Sequence, residues 1–209
     1  MKEKLQEAFI QFISKNNRMP RSINELLEDA QVTEDEFRQV FKSLSGLEES
    51  IWDDFIEEVL RRIKSEPVYH TYSAREKFLA FEYTLLEVIK DYRKFVNKSI
   101  NSFQSLDNLS LPQIKTFRKK YKIWAQEVID EGIESGELKN RPLLSDKYVD
   151  VLWLQVWFII QYWLKDKSKD YEQTDAAIEK SLNMSCDFLG HTPLDSAFDF
   201  AKFLFQKKK

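Results

Sequence analysis

Only four glycines and five prolines punctuate the 209 residues of this chain, and every proline falls where a helix would begin or end. Pro20, Pro67, Pro112, Pro142 and Pro193 never interrupt an apolar-periodic run, where a missing N–H and a ring clash would break a helix. Strand-type alternation of Val, Ile and Thr is missing, and the segments between punctuation marks are far longer than ordinary strands. The fold is therefore expected to be all-α. Hydrophobic residues make up 43% of the chain and aromatics 14%, enough for a sizeable core, while 32% charge supplies a well-solvated surface.

The first helix is expected over about residues 2–16, where Leu5, Ala8, Phe9, Phe12 and Ile13 form one apolar stripe and Asn16 and Asn17 end it. Ser22 is placed to cap a second helix, with Glu25 three residues on completing a capping box and Ile23, Leu26, Leu27 and Ala30 facing inward. Thr33 and Glu36 repeat the pattern. The third helix is expected to bury Phe37, Val40 and Phe41 and to leave Glu34, Asp35, Arg38, Gln39 and Lys42 outside. Two short helices joined by a tight turn after a longer amphipathic one are the layout of a helix-turn-helix DNA reader.

The charge of this stretch runs against that layout. Residues 1–50 hold seven Lys and Arg against ten Asp and Glu, so the net charge of −3 of the whole chain resides at this end. Glu34, Asp35 and Glu36 open the third helix, where lysines would suit phosphates better. Acids there also favour the helix dipole, and Arg38 stands four residues from Glu34, so the pattern equally describes a stabilised first turn with a surface ion pair.

A fourth helix over about residues 47–64, carrying Ile51, Phe55, Val59 and Ile63, would join a helix-turn-helix domain of residues 1–46 to a larger helical domain of residues 47–209. Further helices are expected over about 74–102, 112–135, 145–165, 174–189 and 193–206, with a break near 103–108. The segment 148–164 is apolar on nearly every side. It is shorter than the roughly 20 residues of a membrane span and interrupted by Asp150, Gln155 and Gln161, so it reads as a buried helix. Such a helix needs neighbours on two faces, and a second subunit supplies one. Ala177, Ser181 and Ser185, four residues apart, would let another helix pack closely. A homodimer through 145–165 and 174–189 is the expectation.

Ala8-Phe9 and Phe12-Ile13, then Ser22-Ile23 and Leu26, then Val32-Thr33 followed by Phe37, Phe41-Lys42-Ser43 and Leu47, give this chain its resemblance to the TetR family of one-component bacterial regulators. Val128 to Leu138 is similar to the family's segment before its dimerisation helices. The chain departs from the pattern at Gln31, where the family usually has Gly, at Glu34 in place of Lys, at Asp35 in place of a small residue, and at Arg38 and Val40 in place of Tyr. The resemblance implies a ligand-responsive DNA-binding regulator, a repressor that is active as a homodimer on double-stranded operator DNA. The residues left to contact DNA are Arg21, Ser22, Thr33, Arg38, Gln39 and Lys42. An unknown apolar small molecule would bind among the later helices and swing the fourth, changing the separation of two reading heads.

Phe81, Phe117, Tyr121, Trp124, Trp153 and Trp157 are the candidates to line that ligand site, although large aromatics at helical spacing also make plain core. Lys115, Arg118, Lys119, Lys120 and Lys122 form a basic run that reads as a solvated face. No catalytic residue, metal site or cofactor is expected. His70 and His191 stand far apart in the sequence, and no phosphate-binding loop or nucleophile elbow is present. The lone Cys186 forms no internal disulfide, and with no leader segment a reducing cytoplasm is the expected location. The alternative is a lipid or small-molecule binding protein with the same fold, as in the coenzyme-Q biosynthesis proteins that share it. There the last helix, apolar from Leu194 to Phe205 apart from a stripe of Asp195, Asp199, Lys202 and Gln206, would lie on a membrane surface.

Overall fold

The structure, a computed structural model, describes residues 1–28, 30–101, 111–141 and 144–190. Among these, all regular secondary structure is helical: α1 Lys2–Asn16, α2 Ile23–Leu27, α3 Glu34–Val40, α4 Leu44–Ser65, α5 Ala74–Ile89, α6 Arg93–Asn101, α7 Lys115–Glu134, α8 Tyr148–Lys165 and α9 Glu172–Leu189. The helix expected over 193–206, the break near 103–108, Pro142 and His191 lie outside the described residues. No helix among the described residues is long and apolar enough to cross a membrane.

The chain divides into two compact units. One comprises Met1–Ser65 with Thr84–Tyr121, the other Glu66–Tyr83 with the described residues from Lys122 on. In the first unit the apolar stripes of α1 (Leu5, Phe9, Ile13) and α4 (Leu47, Ile51, Phe55, Val59, Ile63) are buried, as their spacing requires. Trp52 anchors this core. Its ring lies 5.7 Å from Phe55, 6.1 Å from Phe95 and 5.7 Å from Phe117, with Phe9 packed edge-on to Phe95 at 6.2 Å. Each such ring contributes about 1.5–3 kcal/mol by burial, and each edge-to-face pair somewhat more.

The helix expected over 74–102 is broken. A 3-10 turn at Lys90–Tyr92 separates α5 from α6. Three residues turning about 120° each in place of 100° rotate the following face by about 60°. Phe95, Val96 and Ile100 are thereby brought into the core, while Tyr92 packs on Phe55 at 5.0 Å.

In the second unit α8 and α9 form an antiparallel hairpin. The Asp166 carboxylate fixes its loop, accepting the Ser168 N–H at 2.7 Å, the Thr174 N–H at 2.9 Å and the Thr174 hydroxyl at 2.6 Å. These donors hold its pKa down at about 2, with the Thr174 hydroxyl the largest cause. In the small-residue row of α9, Ser181 meets α8 of the same chain. Ser181 accepts from Gln155 Nε2 at 2.9 Å and donates to the Ala177 carbonyl at 2.6 Å, and Ser185 is buried.

Within the single chain one face of α8 stays open, Leu154 and Phe158 being each 47% exposed. Arg141 closes the far end of α9, its guanidinium donating to the carbonyls of Phe188 and Leu189 at 3.2 Å and of Gly190 at 2.6 Å. Those are acceptors that a helix terminus leaves unsatisfied.

Candidate nucleic-acid interface

The head begins where α1 ends on Asn17 in the left-handed conformation, φ 53°. Ser22 caps α2 by accepting the Glu25 N–H at 3.2 Å. The reciprocal half of the expected box is displaced by one residue: Glu25 accepts the Arg21 N–H at 2.5 Å and the Arg18 guanidinium. Its carboxylate is drawn toward Arg18, and these contacts, Arg18 foremost, lower its pKa to about 2. The turn into α3 passes through Gln31 at φ 48°, with the Lys4 ammonium donating to its carbonyl at 3.2 Å. That is the position where the family pattern has Gly, the residue for which such a φ carries no steric cost.

At the head of α3 the expected capping box is complete. Thr33 Oγ1 accepts the Glu36 N–H at 3.3 Å, while Glu36 accepts the Thr33 N–H at 2.8 Å and hydroxyl at 2.9 Å. These bonds hold the Glu36 carboxyl below its ordinary pKa. Phe37 is fully buried beside Phe41, ring to ring at 5.9 Å. Val40, expected inside, is 37% exposed. The reason is that α3 stops there and the extended Phe41 takes the buried place next to Phe37.

Arg21, Ser22, Thr33, Arg38, Gln39 and Lys42 are all exposed. The hydroxyls of Ser22 and Thr33 are taken up by capping. Arg38 is clamped to Glu34, whose Oε1 accepts Nε at 2.8 Å and lies 2.5 Å from Nη2. Arg21 and Lys42 form no ion pair among the described residues, and Gln39 projects from the same short helix as Arg38.

The six candidate ligand residues fall in different places. In the second unit Phe81 stacks on Trp124 at 4.7 Å, Trp124 Nε1 donates to Tyr69 Oη at 2.8 Å, and Trp153 stacks at 6.5 Å on the half-buried Trp157. Phe117, against Trp52, and the fully buried Tyr121 belong to the first unit. A cleft of about 330 Å³ in the first unit is lined instead by Ile10, Ile51, Asp54, Phe55, Val88 and Tyr92, among others. In the basic run, Lys120 pairs with Asp53 and Glu57 at 2.5 Å, and Lys122 with Asp150 at 2.5 Å.

Besides Asp166 of the α8–α9 loop, two buried acids on helices escaped the sequence reading. Glu48 on α4 accepts from Ser99 Oγ, which itself accepts from Trp52 Nε1 at 2.9 Å. Glu82 on α5 accepts from Gln155 Nε2 at 3.0 Å. Each stands inside an apolar stripe, Glu48 between Leu47 and Ile51 and Glu82 between Phe78 and Leu86, which is the signal that could have found them.

The fold and its head define a helix-turn-helix protein with a helical body. Residues 77–204 match the family described as tetracyclin repressor-like, C-terminal domain. Among solved structures, a Syntrophomonas wolfei protein assigned to the TetR-family transcriptional regulators aligns over 90% of this chain and 94% of its own, with a TM-score of 0.64 and 15% identity. A protein of unknown function from Rhodococcus sp. RHA1 aligns over 91% and 95%, with a TM-score of 0.61 and 11% identity. No curated protein matches the chain in sequence. The chain belongs to the TetR family of transcriptional regulators.

Proposed function

We propose that this chain is a ligand-responsive repressor that binds operator DNA as a homodimer, with residues 1–46 reading the major groove and residues 47–209 serving ligand binding and dimerisation. The observation that carries the reading is α3: Phe37 and Phe41 anchor it inward while Arg38, Gln39 and Lys42 stand in solvent. Arg21 and the backbone N–H groups around it offer phosphate contacts. Exposed Leu154 and Phe158 on α8, with Met184 at 69% and Phe188 at 54% on α9, support a dimer seam on this hairpin. The ligand is an apolar molecule received among the aromatic rings of the later helices, Phe81, Trp124, Trp153 and Trp157 foremost. Binding swings α4, which is tied to Ser99 of α6 in its own unit through Trp52 and Glu48.

The test is a salt titration of binding to the DNA upstream of the gene, for the wild type and Glu34→Lys. Binding by the wild type at low salt, tightened and made more salt-sensitive by the lysine, is expected. Binding that appears only in the lysine variant would overturn the reading. For the ligand, a panel of apolar and aromatic compounds should contain one that raises Tm and alters tryptophan emission.

A further inference from the structure

We infer that Glu34 is a positioning residue for Arg38, and that the guanidinium it holds reads the major-groove edge of a guanine in the operator. This rests on the DNA-reading proposal above and adds the base to be read.

The acids that open α3 are not three equivalent charges. Glu36 is closed into the capping box with Thr33. Glu34 is taken by Arg38. Of these three acids, only Asp35 has no partner among the described residues. The stretch that reads in sequence as a wall of repulsion is, in the fold, one pinned helix start, one ion pair and one solvated carboxylate.

The geometry of the ion pair decides what Arg38 can still do. A guanidinium has five N–H groups in a fixed planar fork. Glu34 Oε1 takes Nε at 2.8 Å and Nη2 at 2.5 Å, which is the side edge of that fork. The end edge, one N–H from Nη1 and one from Nη2, stays open, and those two parallel donors match the O6 and N7 acceptors of guanine. No other base presents two acceptors there. The platform beneath is firm at both ends, with the capping box at its start and the Phe37–Phe41 ring contact at its finish.

An exposed i,i+4 pair of this kind is weak in water, and Arg38 and Glu34 side chains are 54% and 40% exposed. Its importance comes on binding. In a groove emptied of water the carboxylate strengthens the guanidinium's alignment, and fewer rotamers remain to be frozen. Glu34 thus trades general attraction to phosphate for selectivity at one base pair.

The experiment uses the full chain. Duplexes are selected by the wild type from a randomised library at low salt, and binding is then measured by anisotropy on the selected site with each guanine replaced in turn by adenine or by 7-deazaguanine, which lacks the N7 acceptor. At one guanine per half-site both replacements should weaken wild-type binding by roughly tenfold, and Arg38→Ala should be indifferent to them. Glu34→Gln, which keeps the length and removes the charge, should lose most of this preference while binding all duplexes somewhat more tightly. Unchanged guanine preference in Glu34→Gln, with affinity raised for every duplex alike, would overturn the positioning role. Wild-type binding with no guanine dependence would overturn the base assignment but leave the DNA-reading proposal standing. A wild type that selects no duplex even at low salt would overturn both.

Discussion

Glu48 and Glu82 are carboxylic acids placed where charge is hard to hold. Burial pushes Glu48 up to about 7, opposed by the Ser99 hydroxyl, and Glu82 up to about 8, opposed by the Gln155 amide. Among the described residues Gln155 Oε1 has no donor, and a proton on Glu82 would supply one beside the amide. For both acids the folded pKa lies above the ordinary value of 4.5, so the native state binds the proton more tightly than the unfolded chain does. Their stabilising contribution is present in full below about pH 4.5 and is lost as pH rises through 7 and 8. Urea denaturation between pH 5 and 8 should therefore show Glu48→Gln gaining on the wild type as pH rises, by on the order of 2–3 kcal/mol at the alkaline end. Curves that stay parallel would mean that Glu48 titrates as an ordinary acid. Gln31, at φ 48°, is one of four non-glycine residues with a positive φ among the described residues, with Asn17, Asp170 and Tyr171. Gln31→Gly should raise Tm slightly, for a gain of up to about 1 kcal/mol, since the relief of the left-handed side chain is partly offset by the freedom glycine has when unfolded.

Ser99 holds α4 to α6, because its hydroxyl accepts from Trp52 and donates to Glu48. Ser99→Ala would leave two buried polar groups without a partner and should cost about 1–3 kcal/mol in equilibrium unfolding. A neutral result would mean that water or a rearrangement satisfies both. The sequence showed most of this element level. The bounds of α1, the caps on α2 and α3 and the stripe of α4 are local signals, carried by residues three and four apart. The break between α5 and α6 was hidden because the apolar period runs through it without a proline or glycine. Val40 misled because its spacing from Phe37 is helical, whereas its exposure depends on α3 ending there. The tie between Glu34 and Arg38 was visible as spacing, but which edge of the guanidinium it leaves open needed coordinates.

At the scale of the whole chain, composition and punctuation were enough to set an all-α fold, whereas partners were not legible. An apolar stripe says that something covers it and leaves open whether that is the same chain. Ser181 proved to meet Gln155 of α8 in the same chain, while Leu154 and Phe158 face outward. The dimer test therefore moves to the exposed stripe: Phe158→Glu should shift sedimentation equilibrium toward monomer while leaving the fold intact. Ser181→Arg should instead lower Tm by breaking the contact with Gln155, and a Phe158→Glu protein that remains fully dimeric would place the seam elsewhere. The division of the chain into units also bears on the order of assembly during translation. The α8–α9 hairpin can close as soon as it leaves the ribosome, because its contacts are near neighbours in sequence. The first unit is discontinuous, and Trp52 must wait for Phe95 and Phe117 before its core is complete. The end that is synthesised first thus folds around a part made much later. A chain truncated before residue 117 would leave the ribosome with its reading helices made and the core beneath α4 still open.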